Sequence, residues 1–174
     1  MRMELLIERL ARARIGATFN FYRDGEGAAV RRERLRAHLE SRRDAPILLV
    51  GEAAGYRGAR ISGIPFTSER QLTGAGPAEF SATIVHRVLA ELGLEDSVLL
   101  WNVVPTHPGT ESSNRPPHRD EIVGGLPFAR ELARSRRVIA VGRLAEAALG
   151  APYVRHPSRG GAQAFRAGLR RLLA

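Results

Sequence analysis

The chain contains no cysteine and no lysine, so all 27 basic residues are arginine. Without cysteine there is no disulfide, and no zinc or iron–sulfur centre held by thiolates. Without lysine there is no side-chain amine to form a Schiff base. The five histidines (His38, His86, His107, His118 and His156) include no His-x-x-x-His pair, and no metal or other cofactor is expected. No run approaches the roughly 20 apolar residues of a membrane span. Residues 1–14 are too charged to hold the apolar core of a signal peptide. The glycine-rich stretch after Val50 lacks Gly-x-Gly-x-x-Gly spacing, and no Gly-Lys-Ser/Thr phosphate loop occurs. Both absences count against a Rossmann-like nucleotide-binding protein.

What is present fits one globular domain spanning 1–174, with 44% hydrophobic residues to build a core. Internal repeats and low-complexity tracts are missing. The net charge of +9 favours a polyanionic partner, nucleic acid first. A well-solvated basic surface is the other reading of the same charge. The expectation is an intracellular monomer in the cytoplasm, nucleoid-associated if bacterial, with no membrane partner.

The apolar pattern alternates between helical and strand periods. Leu5, Leu6, Leu10 and Ala13 place a helix over 1–13, and Val30, Leu35 and Leu39 a basic helix over 28–42. Pro46–Val50 is a short, wholly apolar run, as expected of a strand buried on both faces of a parallel sheet. A long glycine-rich loop follows to about Pro77, then a helix over 77–92 that Gly93 stops. Residues 97–104 form the second buried strand and 106–117 a proline-rich loop. A helix over 119–135 is interrupted near Gly124, Gly125 and Pro127. Residues 137–142 make a third strand, 143–149 a helix, 152–154 a brief fourth strand, and 163–173 a last helix. This order predicts an α/β fold: a three-layer α/β/α sandwich around a central, mainly parallel four-stranded sheet. In such sheets ligands bind beyond the carboxyl ends of the strands. Glu52, Asn102 and His156 stand there.

Three segments occur in order: Gly51-Glu52-Ala53-Ala54-Gly55, Trp101-Asn102-Val103-Val104-Pro105 and His156-Pro157-Ser158. Together with Phe66 in Gly63-Ile64-Pro65-Phe66, this set resembles the uracil-DNA glycosylase superfamily. The Gly-Glu-Ala-x-Gly form resembles its thermostable iron–sulfur branch, whose cysteines this chain lacks. The resemblance runs from Ile47 to the C-terminus. It implies a monofunctional enzyme that flips uracil, or another deaminated base, out of DNA and hydrolyses its glycosidic bond.

On that resemblance, Glu52 directs water and steadies the cationic sugar, and His156 donates to the departing base. Asn102 reads the base, and Phe66 stacks on it. Gly51 and Ala53 line the substrate site, with Tyr56 limiting space near C5. Ser158, Arg159, Gly160 and Arg155 face DNA. Each residue also has a plainer role open to it: a cap for Glu52, a proline turn for His156, a backbone-bonded asparagine for Asn102, a core ring for Phe66. His107 is expected in a turn, with contact to DNA or the site as the alternative. His38, His86 and His118 are expected on solvated or packed helix surfaces. Arg31, Arg32, Arg34 and Arg36 are expected to form a solvated helix face, with distal DNA contact as the alternative. Excision of hypoxanthine or xanthine, and a catalytically silent nucleic-acid binder, remain as rival functions.

Overall fold

Two apolar runs form the centre of the structure, a computed structural model that describes residues 2–173. Met1 and Ala174, at the ends of the expected helix and domain, lie outside the described residues. In chain order the elements are α1 (Arg2–Arg12), α2 (Ala28–Ser41), β1 (Ile47–Ala53), α3 (Ala59–Ser62), α4 (Glu69–Thr73), α5 (Phe80–Glu91), β2 (Val98–Val104), β3 (Gly109–Thr110), β4 (Ser113–Asn114), α6 (Arg119–Ala133), β5 (Arg137–Val141), α7 (Arg143–Leu149), β6 (Tyr153–Val154) and α8 (Ala162–Leu173).

The main sheet has the order β2-β1-β5-β6, and every pairing in it is parallel. Successive strand residues point to opposite faces. Leu48, Val50, Leu99, Trp101, Val103 and Ala140 join Leu6, Leu10, Leu35, Leu39 and Phe128 in one core. Ile47, Leu49, Val98, Leu100, Ile139 and Val141 join Val85, Val88, Leu89, Phe165 and Leu169 in the other. Helices therefore cover both faces of the sheet, giving the expected α/β/α layers.

Four local features differ from the sequence reading. β1 runs on through Gly51, Glu52 and Ala53, so the glutamate sits in the last turn of pleat and not in the following loop. The glycine-rich segment contains the short helices α3 and α4. The proline-rich segment contains the two-residue hairpin β3–β4. Finally, α6 is continuous through Gly124, Gly125 and Pro127. A Cβ at Gly125 would collide with the Val103 carbonyl, so this glycine brings the helix backbone against β2. Burial of Gly125, Phe128, Ala129 and Leu132 on that strand outweighs the intrinsic cost of glycine and proline in a helix. In α1 the buried residues are Leu6, Ile7 and Leu10, while Leu5 is exposed.

The chain moves outward from β1 to β2, then returns to the other side of β1 with β5. The carboxyl ends of β1 and β5 thus flank a topological switch point, where connecting loops diverge and leave a crevice.

Candidate active site

The register between β1 and β2 sets Gly51 opposite Asn102. Both point to the α5 side of the sheet, at its carboxyl edge. A Cβ on Gly51 would collide with the Phe66 ring and would come within 2.9 Å of Asn102 Oδ1. Only glycine lets the ring and the amide lie together over the strand end. Asn102 is 3% exposed, and its amide makes no hydrogen bond with the described residues. Phe66 is nearly buried, and its φ of 53° lies in the left-handed region.

Beside this cluster lies a cleft of about 580 Å³, lined by Glu52, Ala53, Ala54 and Gly55 from the end of β1, Gly142 after β5 and His156 after β6. Glu52 is half-buried, and burial raises its carboxyl above the ordinary value. Burial also lowers the His156 imidazole, which favours the neutral ring at neutral pH. Ser158 donates its backbone N–H to His156 Nδ1 at 3.2 Å, and its hydroxyl lies 2.8 Å from the same nitrogen. A ring accepting at Nδ1 carries its proton on Nε2. His156 therefore presents a neutral N–H donor at the cleft.

The other predicted residues are dispersed. Ser158 and Arg159 line the cleft. Arg155 and Gly160 are exposed just beyond it. Tyr56 does not line the cleft; its ring carries the Arg57 guanidinium 5.4 Å above it, and its backbone N–H donates to Asn114 Oδ1 at 2.9 Å. His107 is fully buried and holds the loops together, with Nδ1 2.7 Å from the Ala54 carbonyl and Nε2 2.8 Å from that of Thr110. Its burial removes it from direct contact with DNA.

The basic face of α2 is not simply solvated. Arg31 and Arg32 donate to the Phe21 and Tyr22 carbonyls, each at 2.6 Å. Arg34 pairs with Glu69, and Arg36 with Glu4. The helix uses its charge to fasten its neighbours. His118 caps α6, and burial pulls His38 down to about 4.

Four residues left no readable pattern in the sequence. Glu79 lines the cleft, and burial raises its carboxyl; a Cβ at Gly55 or Gly58 would collide with it. Arg115 and Glu121 form a two-pronged ion pair at 2.5 and 2.8 Å that braces the wall carrying Asn114. The Arg115 guanidinium holds the Glu121 carboxyl down at about 2, with the His118 backbone N–H assisting. His86, on α5, contacts the loop bearing Phe66.

A carboxyl group and an imidazole donor share a cleft at the switch point of a parallel sheet, with Arg115, Arg143 and Arg159 on its lining, while Gly51, Phe66 and Asn102 cluster at the strand ends without lining it. That arrangement defines an α/β enzyme suited to a polyanionic substrate. The chain matches the family model of the uracil DNA glycosylase superfamily over residues 38–170, most of its length, and it belongs to that superfamily of DNA glycosylases. Having no cysteine, it is a member without a thiolate-held cluster. No curated protein sequence matches it. Among solved structures, it resembles the crystal structure of wild-type SMUG2 from Pedobacter heparinus. The TM-score is 0.66 over 97% of this chain and 98% of that one, at 11% identity, so the likeness is one of fold.

Proposed function

We propose that this glycosylase removes uracil from DNA by hydrolysis and leaves an intact abasic site. The observation that carries the reading is the amide of Asn102, a residue only 3% exposed and set beside the Phe66 ring over Gly51. One face of such an amide accepts from uracil N3–H while the other donates to O4. Cytosine offers the opposite pattern, so with the amide held in this orientation it would leave buried polar groups unpaired, which costs strongly. Phe66 stacks on the flipped base, an interaction worth ~1–3 kcal/mol.

The C1′–N1 bond breaks with its electron pair moving to the base. The sugar becomes oxocarbenium-like, and charge builds on uracil N1 and O2. The His156 Nε2–H donates to O2 as this charge grows; losing such a donor costs on the order of 10²–10³ in rate. Glu52, on the sugar's other face, orients water and stabilises the cation. Water then bonds to C1′ and Glu52 takes its proton, while the uracil anion acquires a proton on leaving. The raised Glu52 carboxyl suits a base that must still be ionised when the reaction begins. No lysine side chain is present to convert the abasic sugar into a Schiff base. Arg155, Ser158, Arg159 and Gly160 hold the phosphates around the gap, the fold acts as one domain, and the protein works as a monomer.

An end-labelled oligonucleotide with one deoxyuridine tests the reading. Cleavage after hot alkali, none without it, and loss of cleavage in Glu52→Gln are expected. Hypoxanthine or xanthine release without uracil release would shift the substrate, and no release of any of the three would reduce the protein to a DNA binder.

A further inference from the structure

A left-handed φ at a bulky residue costs of order 1–3 kcal/mol and persists only where the surroundings enforce it. Phe66 is such a residue, at φ 53°, so something must hold it. The turn supplies part of the answer. Ser62 Oγ, fully buried, donates to the Thr67 carbonyl at 2.6 Å and accepts the Ile64 N–H at 3.0 Å. The Thr67 hydroxyl, 4% exposed, donates to the Pro65 carbonyl at 3.2 Å. The same hydroxyl lies 3.0 Å from His86 Nε2.

His86 differs from the other members in origin. Ser62 and Thr67 belong to the turn, whereas His86 stands in the middle of α5, between Val85 and Val88, which are buried in the core against the sheet. The imidazole thus ties the Phe66 turn to a helix packed on the sheet that carries Asn102 and Gly51. Burial lowers this imidazole, while Glu95 and a hydrogen bond with the Phe66 backbone pull upward and Arg42 adds to the lowering.

We propose that His86, acting through Thr67, is a positioning residue that holds the Phe66 ring at base-stacking distance from Asn102. This rests on the reading of Phe66 as the stacking ring, and the test separates the two. Steady-state excision of uracil from a deoxyuridine oligonucleotide is measured for Phe66→Ala, His86→Leu, His86→Gln, Thr67→Val and the double variant Phe66→Ala/His86→Leu, with a melting curve for each. Misplacing the ring weakens base binding before the chemical step, so His86→Leu and Thr67→Val raise KM about tenfold with kcat little changed. His86→Gln, which keeps a group able to hydrogen-bond the Thr67 hydroxyl, recovers most of the loss. In the Phe66→Ala background, His86→Leu has no further effect. Normal KM in a folded His86→Leu and Thr67→Val, or an equal loss with and without the ring, overturns the positioning role. Normal KM in Phe66→Ala overturns the stacking reading itself, and the proposal with it.

Discussion

Among the described residues, two that are not glycine adopt a left-handed backbone: Phe66 at φ 53° and Arg159 at φ 51°. Their surroundings differ sharply. Phe66 is nearly buried, and its turn is fastened by Ser62, Thr67 and His86. Arg159 is exposed, followed by Gly160 at φ 75°, and its carbonyl meets the Arg155 guanidinium only at 3.5 Å. Strain held on all sides makes a fixed surface. Strain at an exposed tip makes a segment that substrate can reshape. The difference matches the two tasks of a base-flipping enzyme. A pocket must reject the wrong base by being rigid, while the element entering the helix must adapt to DNA.

Paired glycine substitutions break the comparison most strongly. Gly51→Ala forces the Phe66 ring from its seat, and a displacement of that size is expected to reduce single-turnover uracil release by about 10²-fold. Gly160→Ala meets no atom within 4 Å and carries only backbone strain of about 1–2 kcal/mol, so release should stay near normal. Equal losses in the two variants would erase the distinction.

The wall between the two loops is held by charge. Removing Arg115 leaves the buried Glu121 carboxylate with the His118 backbone N–H but without its counter-charge, and should cost about 3 kcal/mol of stability near neutral pH. The folded protein depresses Glu121 from 4.5 to about 2. The stabilisation is therefore complete above pH 4.5 and lost as pH falls from there toward 2. Denaturant unfolding of wild type and Arg115→Ala should converge across that window; a constant gap would place the loss elsewhere.

Smaller effects are expected at the exposed tip. Arg159→Gly relieves the left-handed strain, so stability should change by less than about 1 kcal/mol, while duplex excision weakens several-fold. Its more specific signature is in salt: the slope of log K against log salt should become shallower by about 0.9 if one phosphate contact is lost. An unchanged slope would remove Arg159 from the DNA interface.

The sequence disclosed the sheet because its strands are long apolar runs whose burial on both faces leaves no other use for them. Ile47–Val50 and residues 98–104 could hardly be anything else. The carboxyl-edge residues Glu52, Asn102 and His156 followed from those runs, and the resemblance supplied their roles. The remainder depended on tertiary context. Helices of four and five residues and strands of two are too short to show a period, so nothing in the sequence separates α3, α4, β3 and β4 from loop. Continuity of α6 depends on Gly125 meeting the backbone of β2, a contact between distant segments. Glu79 is the N-cap residue of α5 and His86 stands in its middle, and only the fold brings Glu79 to the cleft and His86 to the Phe66 turn. The arginines of α2 misled in the other direction, because carbonyl and carboxylate partners far away in sequence turn an apparently solvated face into a fastening.

Direct measurement of the free base tests the central claim. Duplexes carrying uracil, cytosine or hypoxanthine at one position would be incubated with wild-type protein and with Asn102→Asp, and the released base identified by mass. Uracil from the wild type, with uracil release greatly reduced in Asn102→Asp and cytosine released in its place, is the predicted result. Undiminished uracil release by Asn102→Asp, or hypoxanthine as the only base freed by the wild type, would contradict it.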